Sequence, residues 1–482
     1  MDQATTDSIT RSAESTESII SKKLNFNPLI FRDYDIRGIP GKDFDNSFAN
    51  ELAFAIHQFF PAGKIVLSRD LRQSGIPLLK NMQDTLTKLG RLVINAGHNP
   101  TPILYYAICK ENAVAGIQIT ASHKGKEWNG FKVNAAGAAP VDAETGIYKI
   151  RDLIASNESP KPSNQGTTEH KNYTNSYIKE ITEKITINPK HNKPLKVIID
   201  TGNGSVGIIL EKILLRLGVH AITINKELDD SFPNHQADPL KDENLIQLQA
   251  AVIDQSADLG IALDGDGDRC GIVDEKGQIV QRDKTLMLLT KDALDKGSGN
   301  IVTEVRASMA YLDYIKENQG TPIITKAGHS FVLRKVIETN AVFGGELTGH
   351  MYFPKEFYNF DDGIFTAVKL TQILSNLTKT LSEQLKTLPE YLASKEYHIK
   401  ADDSTKFQKI QTIQELAKQE NKDFLGIDGV RITYPDIGWL LIRASNTGPT
   451  IKCRFEAKTE ENFNFLKQEL QRFLLSVDLQ IN

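Results

Sequence analysis

The run Asp264-Gly-Asp-Gly-Asp268-Arg269 follows the apolar stretch Leu259-Gly-Ile-Ala-Leu263. In extended chain, alternate side chains share a face, so Asp264, Asp266 and Asp268 converge. The intervening glycines let the backbone curl around whatever the carboxylates hold. Three like charges this close are unfavourable without a cation, and ligands made only of oxygen select a hard ion, Mg²⁺ or Ca²⁺. Glu275 stands twelfth from Asp264, as in an EF-hand loop, yet Arg269 takes the sixth place where that loop needs glycine. The flanks also read as strands. A solvated acidic turn is the bland alternative.

Four other segments carry groups that could do chemistry. Thr120-Ala-Ser122-His123-Lys124-Gly125 sets a serine beside a histidine, but neighbours in extended chain point apart and the nucleophile-elbow pattern is broken. His123, Lys124, Lys126 and Lys132 instead suit a serine that carries or receives a phosphoryl group, although taken alone an ordinary basic loop fits better. Arg443-Ala-Ser445-Asn446-Thr447-Gly448-Pro449 offers a guanidinium, small polar side chains and free amides that can cradle a phosphate; a plain polar turn fits as well. Glu346, Thr348 and His350, at spacing two, match sugar hydroxyls or are incidental loop polarity. Gly202-Asn-Gly204-Ser-Val-Gly207, with Glu227 downstream, matches a dinucleotide fingerprint, but the match is short and a tight structural turn is the better reading.

The elements that must position these groups repeat along the chain. Lys64-Ile-Val-Leu-Ser, Leu195-Lys-Val-Ile-Ile-Asp200 and Asn300-Ile-Val-Thr each lead through a loop and a helix to a glycine stop (Gly90, Gly218, Gly320) and a second strand. Each is a βαβ unit of a mostly parallel sheet. The last part differs: strands at Gly429–Tyr434, Trp439–Arg443 and Thr450–Glu456 precede a helix from about Glu460 to Leu475. The expected fold class is α/β: three similar domains with mixed, mostly parallel sheets, 25–168, 169–278 and 279–393, plus a smaller α+β domain, 394–482. Residues 1–24, rich in Ser and Thr, read as a disordered tail.

A length of 482 residues accommodates four such domains. The net charge of −4 argues against a nucleic-acid binder. Three cysteines without a CxxC pair argue against disulfides and structural zinc and for a cytoplasmic location. The longest uncharged stretch, Leu92 to Cys109, holds Asn95, His98, Asn99 and two prolines and is no membrane span.

From Phe31 to Glu456 the chain resembles the α-D-phosphohexomutases, nearest the bacterial phosphomannomutase/phosphoglucomutase type. Phe31-Arg-Asp-Tyr34-Asp-Ile-Arg37-Gly resembles that family's opening segment, and the five segments above follow in its order. The resemblance implies four domains around a central cleft and reversible transfer between the 1- and 6-positions of a mannose or glucose phosphate. A phosphoserine at Ser122 would donate, with hexose 1,6-bisphosphate as intermediate and activator. Ser122, Asp264, Asp266 and Asp268 would hold Mg²⁺. Arg37, Lys132 and Arg269 would stabilise the reacting group, and His123, His329 and Lys132 are candidate acids or bases. Tyr34, His329, Glu346, Thr348 and His350 would bind the sugar, and Arg443, Ser445, Asn446 and Thr447 its distal phosphate. The partner is a small-molecule phosphosugar, with no nucleic acid and no membrane, and the protein a monomer or homodimer. Lys124-Gly125 stands where the family has Asn-Pro, Trp128 where Tyr is common, Gly448 where Glu is usual and Thr348 where Ser is frequent. A phosphoglucosamine mutase, whose sugar loop commonly has Gln where this chain has Leu347, and a non-catalytic phosphosugar-binding relative are the alternatives.

Overall fold

The computed structural model describes residues 26–156, 165–190, 193–445 and 449–481; the tail expected at 1–24 lies outside them. The chain forms two compact units. The first runs through Ile279 and takes up Tyr358–Asn376; the second holds Val280–Phe357 and Leu377–Asn482.

Unit 1 contains two sheets with one connectivity. Ile65–Arg69 pairs in parallel with Leu92–His98 and Ala115–Ile119, and the latter takes Asn129–Ala135 antiparallel. Lys196–Asp200 pairs in parallel with His220–Ile224 and Leu259–Leu263, which takes Cys270–Asp274 antiparallel. The central strands are unbroken apolar runs because helices cover both faces of a parallel sheet. In the first sheet Ile36–Gly38 adds beside Asn129–Ala135 and Thr167–His170 at the opposite edge.

Unit 2 holds the third copy. Asn300–Glu304 lies parallel to Thr321–Thr325 and Phe343–Gly345, and Met351–Tyr352 closes it antiparallel. The repeats and the mixed, mostly parallel sheets are as expected from the sequence. One detail differs. Gly90 and Gly218 end their helices at φ of +86° and +80°, whereas in the third copy Gln319 takes the left-handed position at +64°. Gly320 is small for another reason: a Cβ there would lie 2.9 Å from both Ile315 Cγ2 and Leu294 Cδ1.

The remainder of unit 2 is an antiparallel sheet built on Val430–Tyr434, Gly438–Ala444 and Thr450–Ala457. Helix Glu460–Leu475 packs on it, with Thr459 as N-cap accepting from Asn462 N at 3.2 Å. Strands Tyr397–Lys400 and Asp423–Leu425 and helix Lys406–Gln419 also belong here and were not anticipated. Among the described residues no helix is long and apolar enough to cross a membrane.

Helix Gly363–Asn376, placed by the sequence within 279–393, packs in unit 1 against helix Ile209–Arg216 and strands Leu259–Leu263 and Cys270–Asp274. Nearly all of it is buried, Thr366, Lys369 and Thr371 included. A Cβ on Gly363 would lie 2.7 Å from the Arg269 carbonyl oxygen, so glycine permits this approach. Asp362 starts the helix, its carboxylate accepting from Phe365 N at 2.8 Å and Tyr177 OH at 2.6 Å. Burial pushes its pKa from an ordinary 3.8 to about 7. The folded protein therefore keeps a proton that the unfolded chain releases, and stability falls as pH rises from about 4 to about 7. Asp362→Asn keeps the cap and cannot ionise. Its Tm relative to the parent should rise across that window, and a pH-independent difference would contradict this role.

Candidate active site

Asp264, Asp266 and Asp268 converge, but not through the extended chain that their spacing suggests. They lie in the reversal between antiparallel strands Leu259–Leu263 and Cys270–Asp274, where Gly267 adopts φ +78°. Two strands rather than two helices flank the loop, which rules out the EF-hand. All three carboxylates are fully buried, and one oxygen of each lies within 4.8 Å of the others. Gly267 N and Arg269 N donate to Asp264 Oδ1 at 3.0 and 3.2 Å. Thr101 Oγ1 donates to Asp266 Oδ2 at 2.7 Å.

Gly204, in the run 202–207, packs against this loop. Ser205 N donates to Gly265 O at 2.8 Å, and a Cβ on Gly204 would lie 2.9 Å from that same oxygen. The segment is thus the tight structural turn, packed where a pyrophosphate would need room.

Burial, together with repulsion from Asp268 and Asp266, drives the Asp264 pKa well up. Asp266 Oδ1 is buried without a hydrogen-bond partner. An all-oxygen set that leaves a buried carboxylate oxygen unpartnered fits a hard divalent cation.

Ser122 stands in the turn after strand Ala115–Ile119 at φ +52°, a strained conformation for a residue with a Cβ. Its Oγ donates to Asp264 Oδ2 at 3.0 Å and lies 3.2 Å from His123 Nδ1. Thr120 Oγ1 accepts from Ser122 N at 2.9 Å and donates to Asp70 Oδ2 at 2.8 Å. The turn is clasped from beneath by Arg72, which is wholly buried. Arg72 Nη2 donates to Ser122 O (3.1 Å) and Lys124 O (2.6 Å), Nη1 to Gly125 O (2.7 Å) and Trp128 O (3.1 Å), and Nε to Asp70 Oδ2 (3.0 Å). Its guanidinium also faces the Phe232 ring, 5.3 Å away. Lys124-Gly125 therefore does not leave the turn slack.

Three cations surround Ser122 and the carboxylates. Lys132, on strand Asn129–Ala135, bonds Asp266 at 2.8 Å and also Asp268, and these carboxylates hold it firmly protonated despite burial. Arg269 Nε lies 3.7 Å from Asp264. Arg37, opposite Gly130 in the pairing of Ile36–Gly38 with that strand, bonds Asp35 at 2.5 Å and keeps a buried Nε without a hydrogen-bond partner. A Cβ on Gly130 would fall 2.1 Å from the Ile36 carbonyl, so only glycine admits the Arg37 strand. Burial, with Arg269, Arg37 and Lys124 nearby, holds His123 neutral, well below the usual histidine range. Tyr34 is half-buried in the loop ahead of Arg37.

A second cluster forms within unit 2. Glu346, buried, accepts from Gly328 N at 2.8 Å and Thr348 Oγ1 at 3.0 Å, in the turn between Phe343–Gly345 and Met351–Tyr352. Burial raises its pKa. The His329 and His350 rings stack at 5.2 Å. Arg443 pairs with Asp428 at 3.2 Å, Asp428 accepts from Ala327 N at 3.1 Å, and the Arg443 Nε is buried with no hydrogen-bond partner. This chain of contacts brings His329, Glu346, Thr348, His350 and Arg443 together. Ser445 O accepts from Lys406 Nζ at 2.6 Å; Asn446, Thr447 and Gly448 lie outside the described residues.

Arg72, Asp70, Thr101, Asp428 and Lys406 had gone unnoticed. Asp70-Leu-Arg72 after an apolar strand is the one local hint, a buried-strand end carrying an opposite-charge pair.

Four family models match in order: phosphoglucomutase/phosphomannomutase alpha/beta/alpha domain I over residues 28–161, domain II over 175–277, domain III over 281–391, and the C-terminal domain over 396–472. The chain is 36% identical over 453 residues to a phosphomannomutase/phosphoglucomutase of Pseudomonas aeruginosa, covering 93% of this chain and 96% of that one. It is 35% identical to a phosphoglucomutase of Neisseria gonorrhoeae, covering 89% of this chain and 93% of that one. The crystal structure of a phosphoglucomutase/phosphomannomutase family protein from Burkholderia thailandensis superposes with a TM-score of 0.86 at 30% identity, covering 95% of this chain and 99% of that one.

Proposed function

The chain belongs to the phosphoglucomutase/phosphomannomutase family, and from that membership we propose that it interconverts the 1- and 6-phosphates of mannose, glucose or both through phosphoserine 122 and a hexose 1,6-bisphosphate. The observation that carries this reading is Ser122 Oγ, 3.0 Å from Asp264, in a strained turn among buried carboxylates and cations. Buried carboxylates able to hold a metal, with Arg37, Lys132 and Arg269 beside them, suit a phosphoryl dianion rather than the neutral acyl group of a hydrolase.

In the forward step the Ser122 Oγ–P bond breaks as a sugar hydroxyl oxygen bonds phosphorus, and the proton that hydroxyl gives up ends on Ser122 Oγ. The bisphosphate then turns end for end. Ser122 Oγ takes the other phosphoryl group, and neutral His123, 3.2 Å away, receives the serine hydroxyl proton, which ends on the sugar oxygen set free. Lys132, beside Asp266 and Asp268, and Arg37 and Arg269 offset charge on the phosphoryl oxygens. Asp264, Asp266, Asp268 and the Ser122 phosphate would hold Mg²⁺, which would supply Lewis acidity for the charge that develops in transfer.

Glu346, Thr348, His329 and His350, with Tyr34, are assigned to the sugar hydroxyls, and Arg443 with Ser445, Asn446 and Thr447 to the phosphate that is not reacting. We assign the four matched segments to domains at 25–168, 169–278, 279–393 and 394–482, and the protein to the cytoplasm.

The test is conversion of mannose 1-phosphate and glucose 1-phosphate, with Mg²⁺ and a trace of hexose 1,6-bisphosphate, to the 6-phosphates. No product from either sugar overturns the reading, and a higher kcat/KM for glucosamine 1-phosphate replaces it with the phosphoglucosamine mutase. Stripping divalent cations with a chelator should lower turnover roughly 10³-fold, restored by Mg²⁺. Full activity in chelator would remove the metal from the account.

A further inference from the structure

Two residues beyond Ser122, the backbone of Lys124 is fixed on both sides. Its N–H donates to Ala121 O at 3.1 Å, and its carbonyl accepts from Arg72 Nη2 at 2.6 Å. The side chain is half-buried, and its ammonium rests 5.6 Å over the Trp128 ring rather than on a carboxylate. Such seating restrains a flexible stem and leaves the charge in place.

Arg37, Lys241 and Arg269 stand close enough to repel that ammonium, and Asp238 offsets them. Asp238 itself accepts from Leu240 N at 3.1 Å. Cations gathered this way disfavour one another, and the arrangement turns favourable once a dianion lies among them.

We propose that Lys124 is a third cationic contact, with Arg37 and Arg269, for the phosphoryl group exchanged at Ser122, and that Trp128 is the seat of its ammonium. The proposal rests on the mutase reading and adds a residue to it. Lys124 and Trp128 both depart from the residues common in the resembling family, and here they pair with each other.

The chain has two tryptophans, and Trp439 is fully buried, so Trp128 can report on the loop. Full-length protein with Mg²⁺ is titrated with glucose 1,6-bisphosphate while tryptophan emission is followed, and Trp128→Phe assigns the signal. Lys124→Met should weaken half-saturation about tenfold and flatten its dependence on salt, since a charge-assisted contact contributes on that order. Lys124→Arg should stay within about threefold, because the charge is kept. Lys124→Met binding within about twofold of the parent, with the parent turning over hexose phosphates, overturns this proposal alone. A parent that neither binds the bisphosphate nor turns over overturns the mutase reading and this proposal with it.

Discussion

Ser122→Ala lowers hexose phosphate interconversion by roughly 10⁴-fold or more, as expected when a nucleophile is removed rather than a neighbour. Mg²⁺ binding and folding should persist, because Ser122 contributes one hydroxyl to a site whose three carboxylates remain. The backbone offers a second readout. At φ +52° any side chain with a Cβ is strained, so Ser122→Gly should be inactive too yet more stable than Ser122→Ala by about 1 kcal/mol. Strain held at a reacting residue is tolerated where the surroundings over-determine it, and Arg72 and Thr120 do so here. Turnover by Ser122→Ala within tenfold of the parent would mean that the phosphoryl group travels by another route.

The second large effect lies below the site. Arg72→Met leaves Asp70 buried without its counter-ion and takes donors from the carbonyls of residues 122, 124, 125 and 128. Breaking a buried pair on one side costs about 3–5 kcal/mol, which urea unfolding would show as a lower midpoint. Arg72→Lys recovers little, because an ammonium is a point donor and the four carbonyls are met by a planar fork. Adding Asp70→Asn to Arg72→Met should restore part of the stability, since the stranded charge is gone, but not the turnover, since the loop remains unheld. An Arg72→Met protein with unchanged midpoint and kcat would show that the clasp is incidental.

The candidate site divides by the range of the interactions that make it. Asp264, Asp266 and Asp268 are legible because spacing and residue type lie within one loop, although the turn, not a strand, brings them together. The three βαβ units are legible because buried parallel strands are continuous apolar runs bounded by turns. The Arg72 clasp is not legible beyond its pair with Asp70: the four carbonyls it holds lie 50 to 56 residues away, and an arginine at a strand end reads as solvated. Asp428, 101 residues from Ala327, is hidden for the same reason. Helix Lys406–Gln419 escaped because its apolar positions are few among Lys and Gln, so its period is weak. Helix Gly363–Asn376 reads as an apolar segment, but nothing in its own residues says that it packs in unit 1.

That Ser122 carries the phosphoryl group between sugars can be tested on the residue itself. The most direct test is peptide-mapped mass spectrometry of the full-length protein after exposure to glucose 1,6-bisphosphate and Mg²⁺, followed by excess glucose 1-phosphate. One phosphate is expected, on Ser122, gained from the bisphosphate as hexose monophosphate appears in equal amount. It is given up to glucose 1-phosphate only as glucose 1,6-bisphosphate, whose other phosphoryl group returns to Ser122 as 6-phosphate is released. Catalytic turnover with Ser122 unmodified throughout, or with the phosphate on another residue, would contradict it.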